Sequence, residues 1–199
     1  MSLTYTNRKG QTYYLCQGLT KTGKSRYYFA REPKGVLAST IPDGYQVQEN
    51  VNGIVSLAKT RPMVLSEEEI NTVAMALQKH PNTSAYRMES KAKQITIYER
   101  MGTGLIALAS TLTVELGIGN VLGNDRKRRL QEEEHRFGQF TPIMRFLLVD
   151  DQRRLFTAQR MCFRGSMEGW RSIEYNKSIA KLASGLIPTL GTEAFFELV

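Results

Sequence analysis

The chain has 199 residues, 41% hydrophobic and 23% charged, a balance that excludes intrinsic disorder and allows one domain, or one domain with a small appended module. Its two cysteines, Cys16 and Cys162, lie far apart, which excludes a zinc ribbon and a disulfide framework. The net charge is +8, and residues 1–65 hold nine Lys/Arg against three Asp/Glu, so most of the excess sits in the first third and favours a polyanionic partner over a neutral one.

Taken in order, Met1 to Gly10 is polar and reads as loosely ordered, without the apolar run of a secretory signal. A reducing, cytoplasmic home is the default expectation. Thr12 to Cys16 is β-branched and aromatic, Lys21-Thr22-Gly23-Lys24 reads as a turn, and Arg26 to Ala30 reads as the returning strand, ended by Pro33 and Gly35. A third strand starts at Tyr45 after Pro42-Asp43-Gly44. Asn50-Val51-Asn52-Gly53 forms a turn, and Ile54 to Leu57 a fourth strand. Residues 12–60 thus read as an antiparallel meander.

The spacing predicts a helix within 62–81. Ser66 and Glu69 make a capping box, Ile70, Val73, Ala74 and Leu77 mark a buried face, and Pro81 stops it. A hairpin follows, Ala85–Glu89 with Gln94–Tyr98. Gly104 to Gly123 approaches the length of a membrane span, but Glu115, its hydroxyls and its glycines favour a buried helix over 105–116, broken at 117–119. Asn124 is expected to cap a charged helix, Asp125 to Phe137, whose RKRR precedes EEE. The acidic run offsets the basic one, which favours a solvated surface helix over a nucleic-acid contact. Ile143–Val149 and Leu155–Phe163 form a hairpin about Asp150-Asp151-Gln152-Arg153. A loop at Gly165–Gly169 follows, with Trp170 sealing the core, then a helix from Ser178 to Leu186 and an apolar end that docks from Phe195.

Gly18 to Ser25 fits G-x-x-x-x-G-K-[ST], the phosphate-cradling P-loop. A P-loop needs a helix opening at Gly-Lys-Ser so that backbone N–H groups hold the phosphates. Arg26-Tyr27-Tyr28-Phe29 favours a strand instead, and Pro33 comes too soon for a helix. Phe146 to Asp150 could pass for a Walker B strand, although Asp150 suits a turn equally well. Glu89-Ser90-Lys91 matches the E-x-K of metal-dependent nucleases, a short and weak signal. His80 and His135 fit no metal-ligand spacing, and Cys16 reads as a buried strand residue. The stronger signal is cations among aromatics: Arg8, Lys9, Lys21, Lys24, Arg26, Arg31 and Lys34 surround Tyr13, Tyr14, Tyr27, Tyr28 and Phe29. Cations neutralise phosphates and exposed rings stack bases. Tyrosines covering a small sheet with lysines on its rim would give the same pattern.

Several phrases together resemble a family of uncharacterised bacterial proteins. They are Asn7-Arg8-Lys9-Gly10-x-Thr12-Tyr13-Tyr14-Leu15, Thr20-Lys21-Thr22-Gly23-Lys24 with Tyr27-Tyr28-Phe29, and Ile41-Pro42-x-Gly44-Tyr45. Further on are Arg145-Phe146-x-Leu148-Val149-Asp150, Cys162-Phe163-x-Gly165-Ser166 and Phe195-Phe196-Glu197-Leu198. The resemblance spans most of the chain and implies a whole family member. It implies no activity and no binding residues.

The expected architecture is α+β. An N-terminal antiparallel β-meander, with residues 1–60 as a basic module, leads into a body over 61–199. That body is a helix–β-hairpin–helix followed by a C-terminal β-hairpin plus helix. The expected function is non-enzymatic binding of nucleic acid through the basic N-terminal hairpin, with no cofactor, no metal and no membrane. An acidic protein is the other partner considered. The alternatives are a protein-interaction or scaffold module, a P-loop NTPase using Gly18–Ser25, and a metal-dependent nuclease.

Overall fold

The computed structural model describes residues 2–102, 104, 111, 123–163 and 168–197, and it is an α+β protein built on antiparallel sheets. The chain divides into two compact units, Met1–Arg61 with Gly104–Gly138, and Pro62–Thr103 with Gln139–Val199. The helix and break expected over 105–119, and the loop expected from Gly165, fall almost entirely outside the described residues. No helix among those described is long and apolar enough to cross a membrane.

In the first unit, β1 (Thr4–Thr6), β2 (Thr12–Leu19) and β3 (Ser25–Ala30) form an antiparallel meander with β2 in the middle. β4 (Val36–Leu37) continues the β1 edge, pairing with Gln17 and Cys16 where β1 pairs with Thr12 to Tyr14. Leu3 joins the two: its N–H donates to the Ala38 carbonyl at 2.9 Å, and its carbonyl accepts from Leu15 N–H at 3.0 Å. The loose start expected over residues 1–10 is therefore an ordered edge from Thr4 onward. β5 (Tyr45–Glu49) and β6 (Val55–Lys59) pair only with each other, and β6 lies against β3 without joining its ladder. Tyr13, Leu15, Cys16, Ala38, Val51 and Val55 are the buried apolar residues among those described here. A helix, α2 in chain order (Asn124–Phe137), belongs to the same unit. Gly123 takes its N-cap position and Asn124 is already helical, one residue earlier than the expected cap.

The second unit is a five-stranded sheet in the order β11-β10-β9-β8-β7, antiparallel throughout. Its strands are β7 (Tyr86–Lys91), β8 (Gln94–Arg100), β9 (Phe140–Asp150), β10 (Leu155–Cys162) and β11 (Gly169–Lys177). One face is apolar: Ile95 and Ile97 on β8, Met144, Phe146 and Leu148 on β9, Phe156 and Ala158 on β10. α1 (Glu67–Gln78) and α3 (Ile179–Leu186) cover it with Val73, Leu77, Leu182, Ala183 and Leu186. Burying each such large side chain stabilises by about 1.5–3 kcal/mol. α1 starts with the expected capping box: Glu69 N–H donates to Ser66 Oγ at 3.2 Å, and Ser66 N–H donates to the Glu69 carboxylate at 2.9 Å. A short helix, α4 (Glu193–Glu197), buries Phe195 as expected, and Arg160 donates to the Phe195 carbonyl at 3.1 Å.

Candidate polyanion-binding surface

The hairpin is built by its turn. Thr20 N–H donates to the Lys24 carbonyl at 2.8 Å, Gly23 N–H to the Thr20 carbonyl at 2.9 Å, and Lys24 N–H to Thr20 Oγ1 at 3.1 Å. Gly23, at φ +77°, occupies the left-handed region that a side chain would strain. Ser25 then pairs with Leu19 and opens β3. This corrects the P-loop alternative: no helix opens after Lys24, and the amides that would cradle phosphate close the turn. Asp150 is likewise a turn residue, its Oδ1 accepting from Gln152 N–H at 2.9 Å and Arg153 N–H at 2.8 Å.

The seven cations do not form one patch. Lys21 and Lys24 stand exposed at the tip. Arg26 is opposite Gly18, its guanidinium 5.5 Å from the Tyr28 ring centroid. Lys34 precedes β4, whose Val36 pairs with Gln17 in the tip half of β2. Among the described residues none of these four pairs with a carboxylate. Arg8, Lys9 and Arg31 lie toward the other end of β2, whose eight residues span about 23 Å at roughly 3.3 Å each, although Arg31 is only three residues from Lys34.

That far end is tied together. Asn7, buried, accepts on Oδ1 from Lys9 N–H at 3.0 Å and Gln11 N–H at 2.8 Å, and its Nδ2 donates to the Gly53 carbonyl at 2.6 Å. Gly53 is at φ +76°, and a Cβ there would sit 3.2 Å from both Asn7 Nδ2 and Lys9 Cδ. Glu49 accepts from Tyr5 Oη at 3.1 Å and Arg8 N–H at 3.2 Å, and it pairs with the Arg8 guanidinium at 3.8 Å. Burial first, then the Glu49 carboxylate, pushes the Tyr5 phenol up. Lys9 Nζ donates to the Phe137 carbonyl at 3.3 Å, a cation at the C-terminus of α2. Arg31 reaches Gln11 Oε1 at 3.4 Å and lies 5.9 Å from the Tyr13 ring centroid.

The alternation sets the faces but does not split the aromatics into a buried and a half-exposed set. Tyr13 and Leu15 are buried, yet Tyr27 and Phe29 on the same face are half-buried, as are Tyr14 and Tyr28 on the other, where Cys16 is fully buried. Leu19 (73% exposed) and Val36 (66%) lie beside the tip on the Gln17 face. In α2 the exposed Arg128 meets Asp125 at 3.9 Å and Glu132 at 4.0 Å, as a solvated helix would arrange them.

In the second unit, Glu89 faces Lys91 Nζ at 3.0 Å and Tyr98 Oη at 3.0 Å. Burial first, then the Glu89 charge, pushes the Tyr98 phenol well up. No group of three His, Cys, Asp or Glu that could hold a metal occurs among the described residues. His80 Nδ1 accepts from Asn82 N–H at 3.1 Å, and Nε2 lies 3.2 Å from the Leu190 carbonyl, so the ring bridges two loops.

Sequence reasoning missed a polar row across this sheet. Glu89, Thr96, Arg145, Gln159 and Ser172 are direct cross-strand neighbours from β7 to β11, on the face opposite the apolar core. Trp170 belongs to that face too: instead of sealing the core, its ring lies 4.3 Å from the Arg145 guanidinium. The available signal was Arg145 itself, alone in the apolar run Ile143–Val149. No protein-family model, curated protein or solved structure matches this chain.

Proposed function

We propose that this protein binds nucleic acid non-enzymatically through the tip of the β2–β3 hairpin. Lys21, Lys24, Arg26 and Lys34 are the phosphate contacts, while Arg8, Lys9 and Arg31 frame the far end. The supporting observation is that the four tip-side cations meet no carboxylate among the described residues, whereas Arg8 is bound to Glu49. An unpaired, exposed cation keeps its full attraction for a polymer phosphate and releases a counterion on binding. Tyr28 beside Arg26 adds a ring that a base can stack on.

The test is anisotropy of a labelled single-stranded oligonucleotide across a salt series. Four phosphate contacts predict log K falling against log salt with a slope of about −2.8. Absence of binding, or affinity indifferent to salt, would overturn the reading. A second reading, an acidic protein partner, is favoured by the exposed Leu19 and Val36 beside the lysines. It predicts that Leu19→Ser weakens capture of that partner and leaves oligonucleotide binding unchanged.

A further inference from the structure

We propose that the polar face of the five-stranded sheet is an oxyanion site, in which Arg145 binds a carboxylate or phosphate group. A half-buried charge is costly unless paired, and native proteins pair it. Four other cations of this unit follow that rule. Arg154 holds Glu69, Lys91 holds Glu89, Lys93 holds Asp151 and Lys177 holds Glu174. Arg145 differs from these four, because its partners are all neutral; Arg160 also meets only neutral groups, but its Nη1 is taken up by the Phe195 and Phe196 carbonyls. Nε donates to Gln159 Oε1 at 2.7 Å, Nη1 reaches Gln94 Oε1 at 3.5 Å, and the Trp170 ring stacks on the guanidinium. Nη2 has no partner among the described residues.

The row contains one carboxylate, and it is spoken for. Glu89 lies two strands from Arg145, about 10 Å by strand spacing, and is held by Lys91 and Tyr98. The amides are positioned in turn: Gln159 Nε2 donates to Ser172 Oγ at 3.1 Å, and Gln94 Nε2 to Thr96 Oγ1 at 2.7 Å. Both therefore turn a carbonyl oxygen to Arg145, fixing its plane over Trp170 and leaving the Nη edge for a ligand. A planar fork of this kind suits two oxygens of one anion. Burial alone lowers the Arg145 pKa, whereas Glu69 raises that of Arg154. The difference marks the missing counter-charge.

Trp170 is the sole tryptophan, so its fluorescence reports on this site directly. Sodium phosphate and sodium succinate are titrated into the full chain at ionic strength held constant with sodium chloride. A saturable change with phosphate, succinate or both is expected, and the probe that saturates names the anion's source. Arg145→Gln should abolish it. Gln159→Glu should abolish it as well, because it places a carboxylate against the guanidinium. The saturating probe should also raise the wild-type melting temperature. Lys21→Ala with Lys24→Ala should leave the titration unchanged, which separates this site from the hairpin. A wild-type signal that does not saturate with either probe, or an unaltered curve in folded Gln159→Glu, would overturn the proposal.

Discussion

The two ends of the β2–β3 hairpin carry similar charge but are held differently. At the Asn7 end, Arg8, Lys9 and Arg31 are absorbed by Glu49, the Phe137 carbonyl and the Tyr13 ring. At the Gly23 end, Lys21 and Lys24 meet no carboxylate among the described residues. The same contrast recurs in the second unit between Arg154, bound to Glu69, and Arg145, surrounded by amides and an indole. In each pair one cation is tied into the fold and the other meets no carboxylate among the described residues. Counting lysines and arginines along the chain cannot separate the two.

Substitutions can break or sharpen that contrast. The largest effect is expected from Asn7→Ala, which leaves the Lys9 and Gln11 amides without their side-chain partner and the Gly53 carbonyl with only the Tyr13 hydroxyl at 3.5 Å. It should destabilise the first unit by about 2–3 kcal/mol in denaturant unfolding. Next is Glu69→Ala in the second unit, about 2 kcal/mol, through loss of the capping box and of the Arg154 pair.

Glu69 also carries a pH signature. Burial pushes its carboxyl up, but Arg154 and Ser66 outweigh that and hold it below the ordinary value of 4.5. The stabilisation is therefore complete above about pH 4.5 and is lost as pH falls through the depressed value. Glu69→Gln should flatten the acid limb of a stability–pH curve in that window. A smaller effect, about 1–2 kcal/mol, is expected from Gly53→Ala, where positive φ and the nearby Asn7 amide both resist a methyl group. The smallest belongs to Lys21→Ala with Lys24→Ala, below about 0.5 kcal/mol, because neither side chain contributes a bond to the fold.

Local patterns carried much of the fold. Ser66 and Glu69 announce α1, and the turns at Gly23, Gly53 and Lys93 announce three hairpins, because each is written in neighbouring residues. β1, β4 and β11 were not legible. Three and two residues hold no period, and Gly169–Lys177 mixes polar side chains on both faces and becomes a strand by pairing with β10. The cations of the candidate surface were legible, but their roles were not. Glu49 is 41 residues from Arg8, and Phe137 is 128 from Lys9. The polar row needs five strands in register before Arg145 stands out.

The most direct test of the division between tied and untied cations is the salt dependence of single-stranded oligonucleotide binding in two variants. Lys21→Ala with Lys24→Ala should reduce the slope of log K against log salt by about 1.4, two contacts' worth. Arg31→Ala, at the tied end, should leave the slope at its wild-type value. Equal slopes in wild type and the tip variant, or a loss confined to Arg31→Ala, would contradict the account.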